Sequence, residues 1–206
     1  MTDASINYYS GGVARTTDPA LQAQRRAAIT DAAAALFAEH GFDATPVAAI
    51  AKAAGVSSAT VFHYFGDKRG AFRAIFEQDL PNSRALVDRY RDADDPLAAI
   101  LDMVAELVAP SRDPAAAGLV VEVIRQVGRD PALGKILDED DVIVNAGLTH
   151  LLGRARDRID PALDPVATAT WIRAVTDSAF LYADHPNAVN PVDTIRTIVL
   201  RYLTGH

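Results

Sequence analysis

The chain has 206 residues, half of them hydrophobic, which allows one large domain or a small domain joined to a medium one. It has no cysteine, which excludes disulfide bonds and thiolate metal sites and favours an intracellular protein. No uncharged apolar run approaches the roughly 18 residues of a membrane span. The N-terminal segment also lacks the features of a secretory signal, so we expect a cytoplasmic protein.

The net charge of −7 is distributed unevenly along the chain. Residues 1–70 carry six basic and six acidic side chains, whereas residues 71–206 carry fourteen basic and twenty-one acidic ones. The first third is therefore relatively basic. A phosphate-binding module joined to an acidic body would show this distribution.

The first elements along the chain are a polar arm and two helices. Residues 1–20 contain a Gly-Gly and an Asp-Pro pair and predict a flexible arm. Beyond it, apolar residues recur with the period of an amphipathic helix, which is predicted to end before Gly41. Thr45 and Pro46 then form an N-cap and first-turn signal for a short helix that extends to Ala54.

Beyond residue 66 the pattern predicts only helices, several of them starting at Asp-Pro pairs. No segment alternates with the two-residue period of a strand. The predicted class is therefore all-α, with about nine helices. The later helices are predicted over about 67–91, 96–108, 114–128, 133–158, 165–183 and 192–203, with a turn at 128–134 and a solvated kink at the acidic run 138–141.

The segment AKAAGVSSATVFHYFGDK, residues 51–68, predicts a helix-turn-helix. Gly55 supplies the turn, Ala51 allows the two helices to cross closely, and Val61 lies on the inner face. The outer face then carries hydroxyls, an imidazole and a phenol, while Phe62 could belong to either face. Such a short helix suits the major groove of DNA, where these groups meet base edges or phosphates and a methyl group can meet thymine.

Residues 22–76 resemble the DNA-binding domain of the tetracycline-repressor (TetR) family of bacterial regulators. The resemblance is carried by the segment AALFAEHGFDATPVAAIAKAAGVSSATVFHYFGDK, in which LF-x-E-x-GF and AGVS-x-x-T-V-F-x-YF-x-x-K agree in residue and spacing. It implies a three-helix DNA-binding domain over 21–66 and a helical regulatory and dimerisation domain over 67–206. The DNA contacts that it implies come from Arg25, Arg26, Thr45, Ser57, Ser58, Ala59, Thr60, His63, Tyr64 and Lys68.

The resemblance also implies a homodimer and a small-molecule effector. Apolar stripes on the last two predicted helices suit a four-helix bundle between two subunits, although packing within one subunit stays open. The predicted interface residues are Ile172, Val175, Ala179, Phe180, Ile195, Ile198, Val199 and Tyr202. Candidate effector contacts are Glu122, Arg125, Gln126, Trp171 and Asp177, each of which could equally be a core, surface or interface residue.

The function that we predict is a transcriptional regulator, most simply a ligand-responsive repressor that binds a palindromic operator as a dimer. An enzyme is not expected, because the five histidines lack metal-site spacing and no phosphate loop or nucleophile elbow occurs. No cofactor or metal is predicted. Two alternatives stay open: a small-molecule or protein-interaction module with a vestigial helix-turn-helix, and an activator or corepressor-dependent regulator.

Overall fold

The computed structural model describes residues 18–181 and 190–205, and all regular structure in these ranges is helical, which confirms the predicted all-α class. Residues 1–17 of the predicted arm lie outside the described residues. No helix in the described ranges is both long and apolar enough to cross a bilayer. The α-helices of these ranges are α1 (Pro19–His40), α2 (Val47–Ala53), α3 (Ser58–Phe65), α4 (Lys68–Glu77), α5 (Asp79–Tyr90), α6 (Pro96–Val108), α7 (Pro114–Gln126), α8 (Pro131–Arg154), α9 (Pro165–Ser178) and α10 (Pro191–Thr204).

Asp-Pro pairs begin five of these helices. In each pair the aspartate is the N-cap, its carboxylate accepts a hydrogen bond from a first-turn backbone N–H, and the proline occupies the first helical position. The turn predicted at 128–134 is shorter in the structure for this reason, because Asp130 caps α8 at Pro131. The capping residues are Asp18, Asp95, Asp113, Asp130 and Asp164.

Two further sequence-based boundaries differ from the structure. The helix predicted over 67–91 is two helices, since Gln78 separates α4 from α5. Pro81 explains the break, because its ring nitrogen cannot donate to the carbonyl four residues earlier. The kink predicted at the acidic run 138–141 is also wrong, because α8 continues through it and ion pairs hold three of its carboxylates.

The described helices enclose two hydrophobic clusters. The first lies among the four helices α1, α2, α3 and α4. It surrounds the rings of Phe37, Phe42 and Phe72, whose centroids lie 5.3–5.5 Å apart. It also contains Leu133 of α8, which is fully buried. The second cluster joins α5, α6, α8, α9 and α10 around side chains such as Met103. The first cluster is therefore completed by a residue from the C-terminal part of the chain.

Helix α7 packs directly against α1, with no side chain between the two backbones at Gly118. A Cβ atom built on Gly118 would lie 2.4 Å from the carbonyl oxygen of Ala38, well inside van der Waals contact. One turn later along α7, the buried Glu122 carboxylate accepts a hydrogen bond of 3.1 Å from the Phe42 N–H. We call Ala38, Phe42, Gly118, Glu122 and Leu133 the α1–α7–α8 junction.

An ion pair beside this junction fastens α4 to the start of α8. The Arg73 guanidinium donates to both carboxylate oxygens of Asp130, at 3.2 and 3.0 Å. Asp130 is 6% exposed and also caps α8 through the N–H groups of Ala132 and Leu133. One carboxylate therefore serves an ion pair and a helix start together, which places α8 relative to the helix-turn-helix.

A substitution at Gly118 tests the close approach of α1 and α7. We expect Gly118→Ala to lower the free energy of unfolding by about 1–3 kcal/mol, because the new methyl group must displace backbone rather than a side chain. The matched control is Gly153→Ala in α8, where an added Cβ would meet nothing within 4 Å. The control should be neutral or stabilising by up to about 1 kcal/mol. Urea unfolding followed by circular dichroism measures both, and equal stabilities of the two variants would contradict the packing described.

Candidate nucleic-acid interface

The helix-turn-helix is formed by α2 and α3 around Gly55. Gly55 adopts a φ of +67°, a conformation that glycine reaches without steric cost. Ile50 of α2 and Val61 of α3 are fully buried and join the two helices to the first cluster. Ser57 caps α3, because its hydroxyl oxygen accepts from the Thr60 N–H at 3.1 Å. The turn and inner face predicted from the sequence therefore match the structure.

The outward surface of α3 consists of Ala59, Phe62 and His63, which follow one another at helical spacing and are all exposed. Of the other predicted contacts on α3, Ser57 is exposed, whereas Ser58, Thr60 and Tyr64 are half-buried. We call Ala59, Phe62 and His63 the α3 outer face. This face is available to a partner, and its imidazole can act as a donor or an acceptor.

Four residues predicted as DNA contacts, on α3 and at its N-cap, also make local contacts. The hydroxyls of Ser57 and Thr60 lie 2.9 Å apart in a hydrogen bond. The ring of Tyr64 packs edge-on against that of His63, with their centroids 5.4 Å apart. These contacts restrict the rotamers of the polar side chains before any ligand arrives, which lowers the entropy lost on binding.

Arg26 fixes the end of α3 to α1 and α4. Its guanidinium donates to the Tyr64 carbonyl at 3.2 Å and to the Glu77 carboxylate at 3.1 Å. It also lies 4.7 Å from the centre of the Phe65 ring. The structure thus gives Arg26 a positioning role, while its neighbour Arg25 remains exposed. Sequence reasoning could not separate these two arginines, because the partners of Arg26 lie 38 and 51 residues away.

Thr45 does not have the role predicted for it. Its side chain is 1% exposed, and its hydroxyl donates to the carbonyls of Gly41 and Leu36 at 2.8 and 3.2 Å. Pro46, not Thr45, is the N-cap of α2, with no side-chain cap. The predicted cap and phosphate contact are therefore wrong for Thr45, which instead closes the end of α1.

Lys68 is likewise held inside the chain. Its ammonium donates to the Phe42 carbonyl at 2.7 Å and lies 4.4 Å from the centre of the Phe42 ring. In this arrangement Lys68 ties α4 to the loop that precedes α2. The carbonyls of Phe42 and Asp43 accept from two of the three N–H donors of this ammonium, so the predicted phosphate contact stays a prediction. Lys52, which sequence reasoning did not select, lies exposed near the end of α2.

The predicted effector residues do not form one site. Glu122 and Gln126 are buried, with Glu122 in the junction. Arg125 is mostly exposed and donates to Glu122 at 2.7 Å. Trp171 stacks on Tyr202 with their centroids 4.0 Å apart, and Asp177 lies beside a different residue, Arg173. The residues belong to three separate contacts, and their role as effector contacts stays a prediction.

A cluster of carboxylates surrounds Arg173 of α9, and sequence reasoning missed it. The guanidinium contacts Asp141 at 2.9 Å, Asp140 at 3.0 Å and Asp177 at 3.5 Å. Partial burial raises the pKa of Asp177, although the Arg173 charge opposes the change. Burial and the nearby Asp140 raise the pKa of Asp79 to about 6. Within the described ranges, no group of three or more histidine, aspartate or glutamate side chains is arranged to hold a metal ion.

The predicted dimer stripes separate into buried and accessible residues. Ile172, Ala179, Ile195 and Val199 belong to the second cluster of the same chain, so their predicted place in a dimer interface is wrong. Ile198 and Tyr202 are 44% and 38% exposed, whereas Val175 and Phe180 are half-buried. The exposed stripe of α9 is a different one, formed by Val166, Ala167, Thr170 and Ala174.

The comparisons with known proteins agree with this arrangement. Residues 29–75 match the family model described as "Bacterial regulatory proteins, tetR family". The chain is 31% identical to the HTH-type transcriptional repressor Rv1474c of Mycobacterium tuberculosis over 135 residues, which are 65% of this chain and 67% of that protein. It is 26% identical to the HTH-type transcriptional regulator UidR of Escherichia coli K12 over 154 residues, 73% of this chain and 77% of that protein.

The fold is also found among solved structures. That of NalD, the secondary repressor of the MexAB-OprM multidrug efflux pump in Pseudomonas aeruginosa, matches with a TM-score of 0.71 at 21% identity, covering 89% of this chain and 98% of that one. The family model covers the helix-turn-helix whose geometry is described above, and the curated relatives extend the similarity into the C-terminal helices. The chain belongs to the tetR family of bacterial regulatory proteins and is a DNA-binding transcriptional regulator, not an enzyme.

Proposed function

We propose that this regulator is a ligand-responsive repressor that binds a palindromic operator as a homodimer in the cytoplasm. The observation that carries the proposal is the α3 outer face, which is exposed while the opposite side of α3 is locked into the first cluster. Side chains that project from a fixed helix can reach base edges in a major groove. In this proposal residues 21–66 bind DNA and residues 67–206 have the regulatory role. Apolar side chains of α4 also belong to the first cluster.

The dimer is supported by an accessible apolar surface on α9 and α10. Ala167, Thr170 and Ala174 are small and lie along the exposed side of α9, so a second helix can approach closely. Ile198 and Tyr202 extend the apolar surface onto α10. Pairing this surface with its own copy across a two-fold axis forms a four-helix bundle. It would present two α3 helices to major grooves about 34 Å apart.

The effector role is supported by a groove between α5 and α8. It has a volume of about 410 Å³ and combines apolar walls, such as Val87 and Ile143, with the cationic side chains of Arg84 and Arg91 and with His150. Ligand sites commonly have volumes of about 300–1,000 Å³. Only Gln78 separates α5 from α4, which belongs to the first cluster. An effector that separates α5 from α8 would therefore also shift the α3 helices and lower DNA affinity by linkage.

Repression is preferred to activation because of the relatives. The names of Rv1474c and NalD both describe repressors. The alternative of a vestigial helix-turn-helix receives no support from the geometry, because a module that no longer contacts DNA has no need to keep an aromatic side chain and an imidazole exposed on α3. An activator or a corepressor-dependent regulator would use the same DNA interface and differ in the sign of the effector response.

Selection of bound duplexes from a random DNA pool tests this proposal. The full chain should enrich one palindrome whose half-sites are about one helical turn apart. His63→Ala should weaken binding to that palindrome by about 5- to 100-fold, the range expected when about 1–3 kcal/mol of base contact is removed. Ile124→Ala, at a 61% exposed position on α7 outside the helix-turn-helix and the groove, should leave DNA affinity unchanged. Failure to enrich any sequence at low salt, with or without candidate effectors, would refute the proposal.

A charge placed on the exposed stripe of α9 tests the dimer. Ala174→Arg should convert the protein to a monomer, because the guanidinium would be buried without a partner between two helices. Ile124→Arg is the matched control, since Ile124 is 61% exposed on α7 and lies outside the proposed dimer surface. Sedimentation equilibrium reports the molecular mass of both variants. An Ala174→Arg protein that remains dimeric would place the interface elsewhere.

A further inference from the structure

Phe62 differs from the other phenylalanines of the helix-turn-helix module in being open to solvent. Its side chain is 49% exposed, whereas Phe37, Phe42 and Phe65 are at most 9% exposed. It belongs to neither hydrophobic cluster of the described chain. A large apolar side chain on a short surface helix loses the favourable free energy of burial until something covers it. The ring is therefore accessible to a partner outside the chain, on the side to which α3 presents it.

The position of Phe62 divides the surface of α3 into an apolar and a polar edge. Ala59 lies one turn before Phe62 on the same side of the helix, so a methyl group and an aromatic ring are adjacent. Ser57, Thr60 and Tyr64 lie toward the other edge, where Ser57 and Thr60 share a hydrogen bond. Phe62 and Ala59 therefore share the outer face with the His63 imidazole, while the hydroxyls of Ser57 and Thr60 lie to one side of it.

We propose that Phe62, assisted by Ala59, reads the C5-methyl group of thymine in the major groove of each operator half-site. The inference rests on the proposed operator binding and assigns a base to one position in it. A phenyl ring has no hydrogen-bond donor for a phosphate or acceptor for a base amine. The thymine methyl is the apolar group that the major groove presents on its base edges, and phenylalanine and alanine are suited to contact it.

The expected effect of this contact is modest and position-specific. Removing one methyl group from a buried contact costs about 0.8 kcal/mol, which corresponds to about a fourfold change in affinity. A dimer makes the contact twice, so loss of both methyl groups should weaken binding by about 10- to 20-fold. The pattern should be the same in both half-sites because the subunits are related by a two-fold axis.

Deoxyuridine substitution isolates the methyl group, since uracil pairs as thymine does but lacks that group. In the selected palindrome, each thymine is replaced in turn by deoxyuridine, symmetrically in both half-sites, and affinity is measured by fluorescence anisotropy. We expect one symmetric pair of positions to show the loss with the wild-type protein. Phe62→Ala should bind the thymine operator more weakly and show no further loss with deoxyuridine at that pair.

The controls keep the failure of this inference separate from failure of the proposed function. Ile124→Ala, at a position 61% exposed on α7 and outside the groove between α5 and α8, should retain the full deoxyuridine penalty. Phe62→Leu should retain part of the deoxyuridine penalty. Thermal unfolding should show that both Phe62 variants fold. If no palindrome is selected, operator binding itself fails. If a palindrome is selected and deoxyuridine has no effect at any position, or if Phe62→Ala keeps the penalty, the thymine contact is overturned.

Discussion

The backbones of α1 and α7 touch at Ala38 and Gly118, and the placement of the helix-turn-helix depends on this contact. Because no side chain separates the two helices there, the Glu122 carboxylate of α7 can reach the Phe42 N–H just beyond the end of α1. Leu133 of α8 then completes the first cluster from the same side. Three contacts of different kinds thus act at one place: backbone packing, a buried charge-assisted hydrogen bond and an apolar side chain.

Several cations of the N-terminal module already have partners within the chain in this structure. Arg26 holds the end of α3, Lys68 holds the loop before α2, and Arg73 holds the start of α8. The orientation of α3 is therefore determined by the body of the protein. A change in the packing of α5, α7 or α8 would alter that orientation, and this is the physical basis that we propose for regulation.

The sequence allowed correct prediction of the all-α class and of the helix-turn-helix. Gly55, the Ser57 cap and the apolar period act within a few residues, so local rules were sufficient. The errors arose where a side chain has a partner that the sequence alone does not identify. The hydroxyl of Thr45 suits a helix cap, but it donates to the carbonyls of Gly41 and Leu36 at the end of α1. On α9 and α10, periodicity identified apolar stripes correctly, yet it could not show that Ile172 and Val199 pack within their own subunit.

The central claim is that the helix-turn-helix and the C-terminal helices form one cooperative unit through the junction. Hydrogen exchange measured over a series of low denaturant concentrations tests it directly, because it resolves the opening free energy of each segment. If the claim is correct, the amides of α2 and α3 lose protection at the same denaturant concentration as those of α7 and α8. If α1 to α3 open separately at a much lower concentration while α7 and α8 remain protected, the junction does not couple the two parts and the account is contradicted.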